Sequence, residues 1–188
     1  MTDRTTDAIL DAARESVARF GIRRTTLSDI ARLAGVSRMT VYRRYPDLPA
    51  VIRDLMTREF GSLMDEIDAS VDGPDGRSRL VARAHSAVRG LREHPLLRKL
   101  LETEPELLLP YLLGRLGETQ RHVLDLVRRD VAEGQADGSI RQGDPRTLAF
   151  SVLLTTQSFL FSAGTSEELE EDEMLEELPR LLHAALRP

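Results

Sequence analysis

The chain has 188 residues, no cysteine, 41% hydrophobic and 30% charged residues, and a formal net charge of −5. This composition is typical of a soluble globular protein of one or two domains, and the lack of cysteine excludes disulfides, thiolate zinc sites and a cysteine nucleophile. No uninterrupted apolar run approaches the roughly 18–20 residues of a membrane span, and the N-terminal stretch MTDRTTDAIL is polar, unlike a signal peptide. We therefore expect a cytoplasmic protein that does not contact a membrane.

The charge is distributed unevenly along the chain. Residues 1–60 carry 11 Arg against 8 Asp and Glu, and within them residues 19–53 carry 8 against 2. Residues 61–188 carry 15 basic and 23 acidic side chains. Because an acidic body repels phosphates and turns the basic end toward them, this asymmetry favours nucleic-acid binding by the N-terminal part.

The N-terminal part predicts three helices. The first has an amphipathic pattern and ends at Gly21. Residues 25–45 then predict two short helices joined by a tight turn, with Thr26 and Ser37 as N-caps. Gly35 is the predicted left-handed turn residue between them, since glycine adopts this conformation without a steric penalty. Helix, glycine turn and helix at this length form a helix-turn-helix unit.

The second short helix, residues 38–45, carries the chemistry of a DNA-reading helix. At about 100° per residue, Val41 and Tyr45 lie on the inner side. The outward side chains suit the major groove, because Arg reads guanine, Met or Thr contacts a thymine methyl group, and a Tyr hydroxyl binds a phosphate. The predicted DNA-contacting residues are Thr26, Ser37, Arg38, Met39, Thr40, Tyr42, Arg43 and Arg44. The alternative interpretation is a solvated basic helix in an ordinary helical bundle.

The remainder of the chain predicts helices only, so the fold class is all-α. A fourth helix, residues 48–70, connects the helix-turn-helix unit to the rest, and residues 72–76 form the clearest loop. Prolines must begin or kink helices in the leucine-rich middle of the chain. The later predicted helices are 77–92, 95–103, 105–113, 115–133, 145–163 and a last helix that reaches Leu186.

The first 60 residues resemble the DNA-binding domain of TetR-family transcriptional regulators. The match includes the helix ending at Phe20 and Gly21, the turn Ala34-Gly35-Val36-Ser37, and the run TVYRRYP from Thr40 to Pro46. The resemblance implies an N-terminal three-helix domain, residues 1–47, and a C-terminal helical ligand-binding and dimerisation domain, residues 71–188, with about nine helices in all. It also implies a homodimer that binds palindromic double-stranded DNA and a small-molecule effector. Many family members carry a lysine at the start of the fourth helix, where this chain has Leu48.

The C-terminal body is expected to enclose a largely apolar pocket for a small hydrophobic ligand. This expectation rests mainly on the resemblance, and is supported by the broken, leucine-rich helices and the small number of aromatic residues. The predicted pocket residues are Leu100, Leu112, Leu116, Thr156, Gln157 and Phe159. A stripe of small polar residues beside Thr156 is interpreted as a helix–helix seam at the dimer interface, with a ligand anchor as the alternative.

No catalytic site, metal site or cofactor is predicted. The four histidines lack metal-ligand spacing, no serine lies in a nucleophile elbow, and no glycine-rich phosphate loop is present. Glu102, Glu104 and Glu106 are interpreted as a solvated segment. The sequence therefore predicts a sequence-specific DNA-binding transcriptional regulator, specifically a repressor that a small hydrophobic ligand releases. The alternative is a helical protein-interaction module that keeps the helix-turn-helix only as a fold.

Overall fold

The computed structural model describes residues 4–188, and over this range the chain forms helices and no β-strand. The α-helices are α1 (Arg4–Phe20), α2 (Leu27–Leu33), α3 (Arg38–Arg44), α4 (Leu48–Ser70), α5 (Gly76–Glu93), α6 (Pro95–Thr103), α7 (Leu109–Leu113), α8 (Glu118–Ala136), α9 (Pro145–Ser162) and α10 (Glu171–Leu186). Single turns of 3-10 helix occupy Pro105–Leu107 and Ala163–Thr165. Nine of the α-helices in the described range have seven residues or more, which confirms the predicted all-α fold.

Local capping interactions start several of these helices. The Asp47 carboxylate accepts the N–H of Ala50 at 2.8 Å at the start of α4. The imidazole Nδ1 of His94 accepts the N–H of Leu96 at 3.2 Å at the start of α6. Asp144 accepts backbone N–H groups in the first turn of α9. Each interaction satisfies a donor that a helix N-terminus otherwise leaves unpaired, so these helices begin where short polar side chains precede them.

The helices group into two compact units that are discontinuous in sequence. The first unit contains Met1–Phe60 and Glu93–Leu116, and the second contains Gly61–Arg92 and Gly117–Pro188. The division predicted from the sequence follows chain order, whereas packing joins α6 and α7 to the N-terminal helices. The assignment of residues 1–47 to DNA binding and 71–188 to regulation and dimerisation stays a prediction.

In the first unit, the end of α1 is held by both polar and apolar contacts. The hydroxyl groups of Ser16 and Thr25 are buried and lie 3.0 Å apart, and Thr25 also donates to the Gly21 carbonyl at 2.8 Å. Gly21 has a φ of +76°, and a Cβ added there would lie 3.7 Å from the Cε atom of Lys99 on α6. The loop after α1 is therefore fixed by a buried hydroxyl pair, and the end of the Lys99 side chain lies near Gly21.

In the second unit, α5 begins in direct backbone contact with α8. A Cβ added to Gly76 would lie 2.4 Å from the backbone nitrogen of Gly134. A Cβ on Gly134 would in turn lie 2.5 Å from the Cδ1 atom of Ile140. A side chain at residue 76 would overlap the backbone of α8, so the close approach of the two helices requires glycine there, whereas a side chain at residue 134 would press on the Ile140 side chain after α8.

The C-terminal end of α9 is closed by an arginine from α5. Arg92 donates from Nη1 to the carbonyl of Leu160 at 2.5 Å and from Nε to the carboxylate of Glu171 at 2.6 Å. The carbonyl groups in the last turn of a helix have no partner within the helix. Arg92 supplies such a partner and connects α9 to the start of α10.

Candidate nucleic-acid interface

The helix-turn-helix begins with a side-chain cap at α2. Thr26 accepts the N–H of Asp29 at 3.1 Å, and its hydroxyl donates to the Asp29 carboxylate at 2.6 Å. The hydrogen bond from Thr26, together with nearby Arg32, lowers the pKa of Asp29 below its ordinary value. These bonds fix the start of α2, whose inner residues Leu27, Ile30 and Ala31 are buried.

The turn between α2 and α3 depends on the conformation of a single glycine. Gly35 has a φ of +67°, and a Cβ there would meet no described atom within 4 Å. Glycine is therefore needed for its backbone angle and not for space. Ser37 then caps α3 by accepting the N–H of Thr40 at 3.1 Å, with the two hydroxyl oxygens 2.8 Å apart. This turn sets the angle at which α3 leaves α2.

The two sides of α3 differ as the helical spacing predicts. Val41 is fully buried and Tyr45 is 5% exposed. On the outer side Met39 is 74% exposed and Tyr42 is 51% exposed. The arginines Arg38, Arg43 and Arg44 are also exposed, and Thr40 is half-buried. The structure thus places these side chains on one accessible surface, although their contact with DNA stays a prediction.

The inner end of α3 is anchored to α4 by Tyr45. Burial raises the pKa of the Tyr45 hydroxyl to about 12, and the charge interaction and hydrogen bond with Asp54 act in the same direction. The phenol therefore stays protonated and donates to Asp54 at all physiological pH values. This bond fixes the orientation of the exposed side of α3 relative to α4.

Arg44 has a structural contact that the sequence pattern did not indicate. Its Nη1 donates to the Thr6 hydroxyl of α1 at 2.9 Å. Arg44 therefore connects the end of α3 to the first turn of α1 in addition to its predicted role on DNA.

The first unit also contains an ion-pair group that sequence reasoning placed in solvent. Glu104 is only 9% exposed, and Arg23 lies 3.9 Å from it and 3.8 Å from Glu106. The interpretation of residues 102–106 as a solvated segment is therefore wrong for Glu104. Arg23 precedes α2, so these long and largely exposed pairs lie between the start of the helix-turn-helix and the segment after α6.

The second unit contains a cavity of about 30 Å³ between α4, α5, α8 and α9. Apolar side chains such as Met64, Ala87, Val127 and Val152 form most of its wall. Arg83 also lines it and is only 6% exposed. Arg83 pairs with Asp68 at 2.5 Å and with Asp130, which is 1% exposed. A buried ion-pair group therefore lies beside the mostly apolar wall of the cavity.

The six predicted pocket residues are divided between the two units. Leu100 is fully buried within the first unit, where Leu112 is exposed and Leu116 is half-buried. In the second unit, Thr156 lines the cavity next to α5, whereas Gln157 and Phe159 are half-buried on α9 and do not line it. A role of these six residues in ligand binding stays a prediction.

The outer side of α9 is apolar and exposed. Phe150 is 42% exposed and Leu154 is 51% exposed, and Leu181 on α10 is 50% exposed. Residues 145–165 are long and apolar enough to cross a membrane by composition, with only 33% of the apolar window buried. The small polar stripe predicted as a seam lies on this same helix, where Ser151 and Thr155 donate to carbonyl groups of the preceding turn. Their hydroxyl groups are thus satisfied within the helix, and the role of the stripe as a helix–helix seam stays a prediction.

Comparison with known proteins agrees with this geometry. The profile of the family described as bacterial regulatory proteins, tetR family, matches residues 9–47. An uncharacterized HTH-type transcriptional regulator of Mycobacterium bovis is 36% identical over 161 residues, which are 86% of this chain and 82% of the relative.

Two solved structures share the fold of nearly the whole chain. A TetR-family transcriptional regulator from Pectobacterium atrosepticum has a TM-score of 0.74 at 18% identity, covering 96% of this chain and 91% of that one. FadR from Bacillus subtilis, in complex with stearoyl-CoA, has a TM-score of 0.69 at 18% identity, covering 96% and 99%. At these identities the similarity extends to the fold alone.

Proposed function

This chain belongs to the TetR family of bacterial regulatory proteins, and from that premise we propose that it is a homodimeric repressor released from DNA by a small hydrophobic ligand. Its family is one of transcriptional regulators and not of enzymes. We also propose that the protein acts in the cytoplasm, where its operator would lie.

The exposed side of α3 is the observation that carries the DNA-binding part of the proposal. Met39, Tyr42 and Arg43 lie outward, while Val41 and Tyr45 hold the helix to its neighbours. A helix that only completed a bundle would have no use for this combination of arginines, Met and Tyr. The same combination supplies contacts to guanine, to thymine methyl groups and to phosphates in a major groove. This chemistry also argues against a protein-interaction module that keeps the helix-turn-helix only as a fold.

The start of α4 contributes less to phosphate binding than in family members with a lysine there. Leu48 occupies that position, and the Asp47 carboxylate already accepts the N–H of Ala50. A carboxylate at this helix end repels a phosphate. We therefore assign phosphate contacts to Tyr42 and Arg44, with Arg43 reading a base.

The geometry of DNA and the outer side of α9 support the proposed homodimer. One recognition helix covers only a few base pairs, whereas two helices related by a two-fold axis read half-sites in successive major grooves. The exposed Phe150 and Leu154, and Leu181 on α10, offer the apolar surface that such an interface requires. We propose that α9 and α10 pair with the same helices of a second subunit on a palindromic operator.

A ligand-sensing role is supported by the cavity between α4, α5, α8 and α9. Its wall is mostly apolar, which suits a hydrophobic ligand. FadR from Bacillus subtilis, which shares the fold, is described in complex with stearoyl-CoA. We propose that a hydrophobic effector occupies the second unit of this chain and thereby lowers its affinity for DNA.

Selection of bound sequences from random duplex DNA tests the proposed function. Purified full-length protein is expected to enrich a palindrome whose half-sites are about one helical turn apart or a multiple of it. A variant with Arg43→Ala and Tyr42→Phe is the matched control, because both residues are exposed and the fold should persist. Recovery of unenriched DNA by the wild-type chain would contradict the proposal.

A further inference from the structure

Met39 is an apolar side chain on the cationic side of α3. It is 74% exposed, and the arginines Arg38, Arg43 and Arg44 of the same helix are exposed as well. At about 100° per residue, Met39 and Arg43 are only about 40° apart on the outer side, one turn from each other. An apolar side chain among arginines suits a polyanion that also offers an apolar group, so charge complementarity identifies DNA as the occupant of this surface.

The position of Met39 along α3 favours a contact with a base edge. Met39 is the second residue of the helix, and the first residues of a recognition helix are those that contact base edges in the major groove. These edges present hydrogen-bond donors, acceptors and one apolar group, which is the 5-methyl group of thymine. The thioether of Met39 has no donor and is only a weak acceptor. The methyl group is therefore the feature that Met39 can recognise.

Thr40 is the other residue of α3 with a side chain suited to a methyl group. Its hydroxyl oxygen lies 2.8 Å from the Ser37 hydroxyl, and its N–H donates to the same oxygen at 3.1 Å. The side chain of Thr40 is thus oriented by the cap of α3, and the residue is half-buried. Met39 is both longer and more exposed, so it reaches further from the helix.

We propose that Met39 reads the 5-methyl group of one pyrimidine in each operator half-site, so that this protein distinguishes methylated from unmethylated pyrimidine bases. The inference rests on the proposed function, because it names the group on DNA that the recognition helix selects. Thymine and 5-methylcytosine carry this methyl group on the same ring carbon, whereas their hydrogen-bonding edges differ. Both bases therefore satisfy Met39.

The spacing of Met39 and Arg43 locates the methyl group within the half-site. Four residues of α-helix extend about 6 Å along the axis, and successive base pairs are about 3.4 Å apart. The pyrimidine that Met39 reads should thus lie within about two base pairs of the base that Arg43 reads. The base pair at which Arg43→Ala relaxes specificity marks that reference position in the selected operator.

Replacing single thymines of the selected operator by deoxyuridine tests the proposal, because it removes the methyl group and keeps the hydrogen-bonding edge. We expect one thymine of each half-site to be sensitive, with affinity for the full-length protein falling about fourfold for each half-site, as loss of one buried methyl group predicts. At the same position, 5-methylcytosine should bind about fourfold more tightly than cytosine. Equal affinities within either pair of bases would overturn the proposal.

Substitution of Met39 shows whether this side chain is the reader. In Met39→Ala both ratios should fall from about fourfold to about one, and the fold should persist because Met39 is exposed. Leu113→Ala is the matched control, since Leu113 is an apolar side chain of 84% exposure on α7, and it should keep both ratios. A methyl preference that survives in Met39→Ala would assign it to the intrinsic shape of the DNA and overturn the proposal.

Thr40→Ser separates the two candidate residues of α3. It keeps the hydroxyl that pairs with Ser37 but removes the methyl group of Thr40, so both ratios should stay at about fourfold whatever the change in overall affinity. Loss of the preference in this variant would assign the methyl contact to Thr40 and overturn the proposal.

The outcome of the DNA selection distinguishes failure of this inference from failure of the proposed function. A palindrome that is enriched but shows no methyl effect removes the role of Met39 and leaves the DNA-binding function in place. Absence of any enriched sequence contradicts the proposed function and, with it, the operator on which the role of Met39 depends.

Discussion

Arg43 lies at the centre of the exposed side of α3, where only a base edge is within reach of a helix in the major groove. Arg43→Ala should therefore cost about 1–3 kcal/mol on the preferred operator and relax specificity at one position of each half-site. Affinities for operator and scrambled DNA measure both effects. Equal losses on the two DNAs would show that Arg43 contacts the phosphate backbone and that α3 lies differently in the groove.

The contributions of Arg44 and Tyr42 to the affinity for DNA should differ in their dependence on salt concentration. Arg44→Ala removes one cation from the DNA surface, so the slope of log affinity against log salt should fall by about 0.9. Tyr42→Phe removes a neutral phosphate donor and should weaken binding to all sequences with almost no change of slope. Thr6→Val is the control for the Arg44–Thr6 bond, because it keeps the cation and should keep the slope. An unchanged slope in Arg44→Ala would exclude a phosphate contact.

His94 should make the stability of the protein depend on pH. Burial lowers the pKa of His94, against a weaker opposite effect of Glu59, and the neutral Nδ1 accepts the N–H of Leu96. Because the folded-state pKa lies below the ordinary value of about 6.5, the unfolded chain binds the proton first as pH falls. The stabilisation of the folded state that neutral His94 provides is therefore present above about pH 6.5, and it is lost as the pH falls below this value.

Urea denaturation of His94→Asn at neutral and mildly acidic pH checks this expectation. Asparagine is a good N-cap but does not titrate in this range, so the variant should lose less stability than the wild type when the pH falls. The other three histidines stay in place and serve as the common background. An identical loss in both proteins would assign the pH dependence to residues other than His94.

At the scale of single residues, the sequence predicted the sides of α3 but not the buried charges. The inward Val41 and Tyr45 follow from helical spacing alone. Arg83 also had a signal, because it lies three residues after Leu80 and four before Ala87 on the apolar side of α5. Asp130 occupies a similar position on α8, between the buried Val127 and Val131. A charge at a core position on each of two helices indicates a buried ion pair, but which helices meet depends on long-range packing that spacing does not contain.

Because α5 and α8 are in contact at Gly76, substitutions at Gly76 and at Gly61 should change the free energy of unfolding in opposite directions. Gly76→Ala should lower the free energy of unfolding by about 1–3 kcal/mol, because the new Cβ overlaps the backbone of Gly134. Gly61→Ala lies in the middle of α4, where a Cβ meets no described atom within 4 Å. In this control the free energy of unfolding should rise by about 0.5–1 kcal/mol, because alanine has a better helix propensity than glycine.

Urea midpoints at one protein concentration measure both changes, provided that the m-value stays constant. A Gly76→Ala variant as stable as Gly61→Ala would show that α5 and α8 can separate at little cost.

At the scale of helices, the sequence located most boundaries but not the grouping of the helices. The bounds 48–70 of α4 and 95–103 of α6 agree with the prediction, since Asp47, Pro49, His94 and Pro95 are local signals. The sequence predicted two domains in chain order, but not that Glu93–Leu116 groups with the N-terminal helices, because this grouping depends on contacts distant in sequence. Arg23 and Glu104 are an example, at 81 positions apart.

For the whole molecule, the proposed dimer depends on the outer side of α9. Leu154→Arg should weaken dimerisation by about 2 kcal/mol or more, because it places an unpaired charge in an apolar interface. Leu113→Arg is the matched control, since Leu113 is 84% exposed but lies on α7 in the first unit. Sedimentation should show a 21.1 kDa monomer for Leu154→Arg under conditions where the control stays dimeric. A wild-type chain that sediments only as a monomer at micromolar concentration would contradict the dimer.

The apolar character of α9 was not evident from a search for uninterrupted apolar runs. Counting uninterrupted apolar residues found no span, because Arg146, Thr155 and Gln157 interrupt the run in α9. Its mean hydropathy nevertheless reaches 1.3, while most of the helix lies outside the core of the subunit. The proposed dimer would cover this exposed side, and a sequence alone does not show which side of a helix that is apolar on most sides faces outward.

Lys99, whose side chain passes Gly21 at the end of α1, is the only lysine in the chain. Amine-reactive dyes will therefore modify α6 at one position, besides the N-terminal amino group. Because the chain has no cysteine, a single thiol introduced elsewhere can carry a second dye without competing reactions. A fluorescence-transfer pair built in this way would report in real time whether effector or DNA changes the distance between α6 and any chosen helix of the first unit.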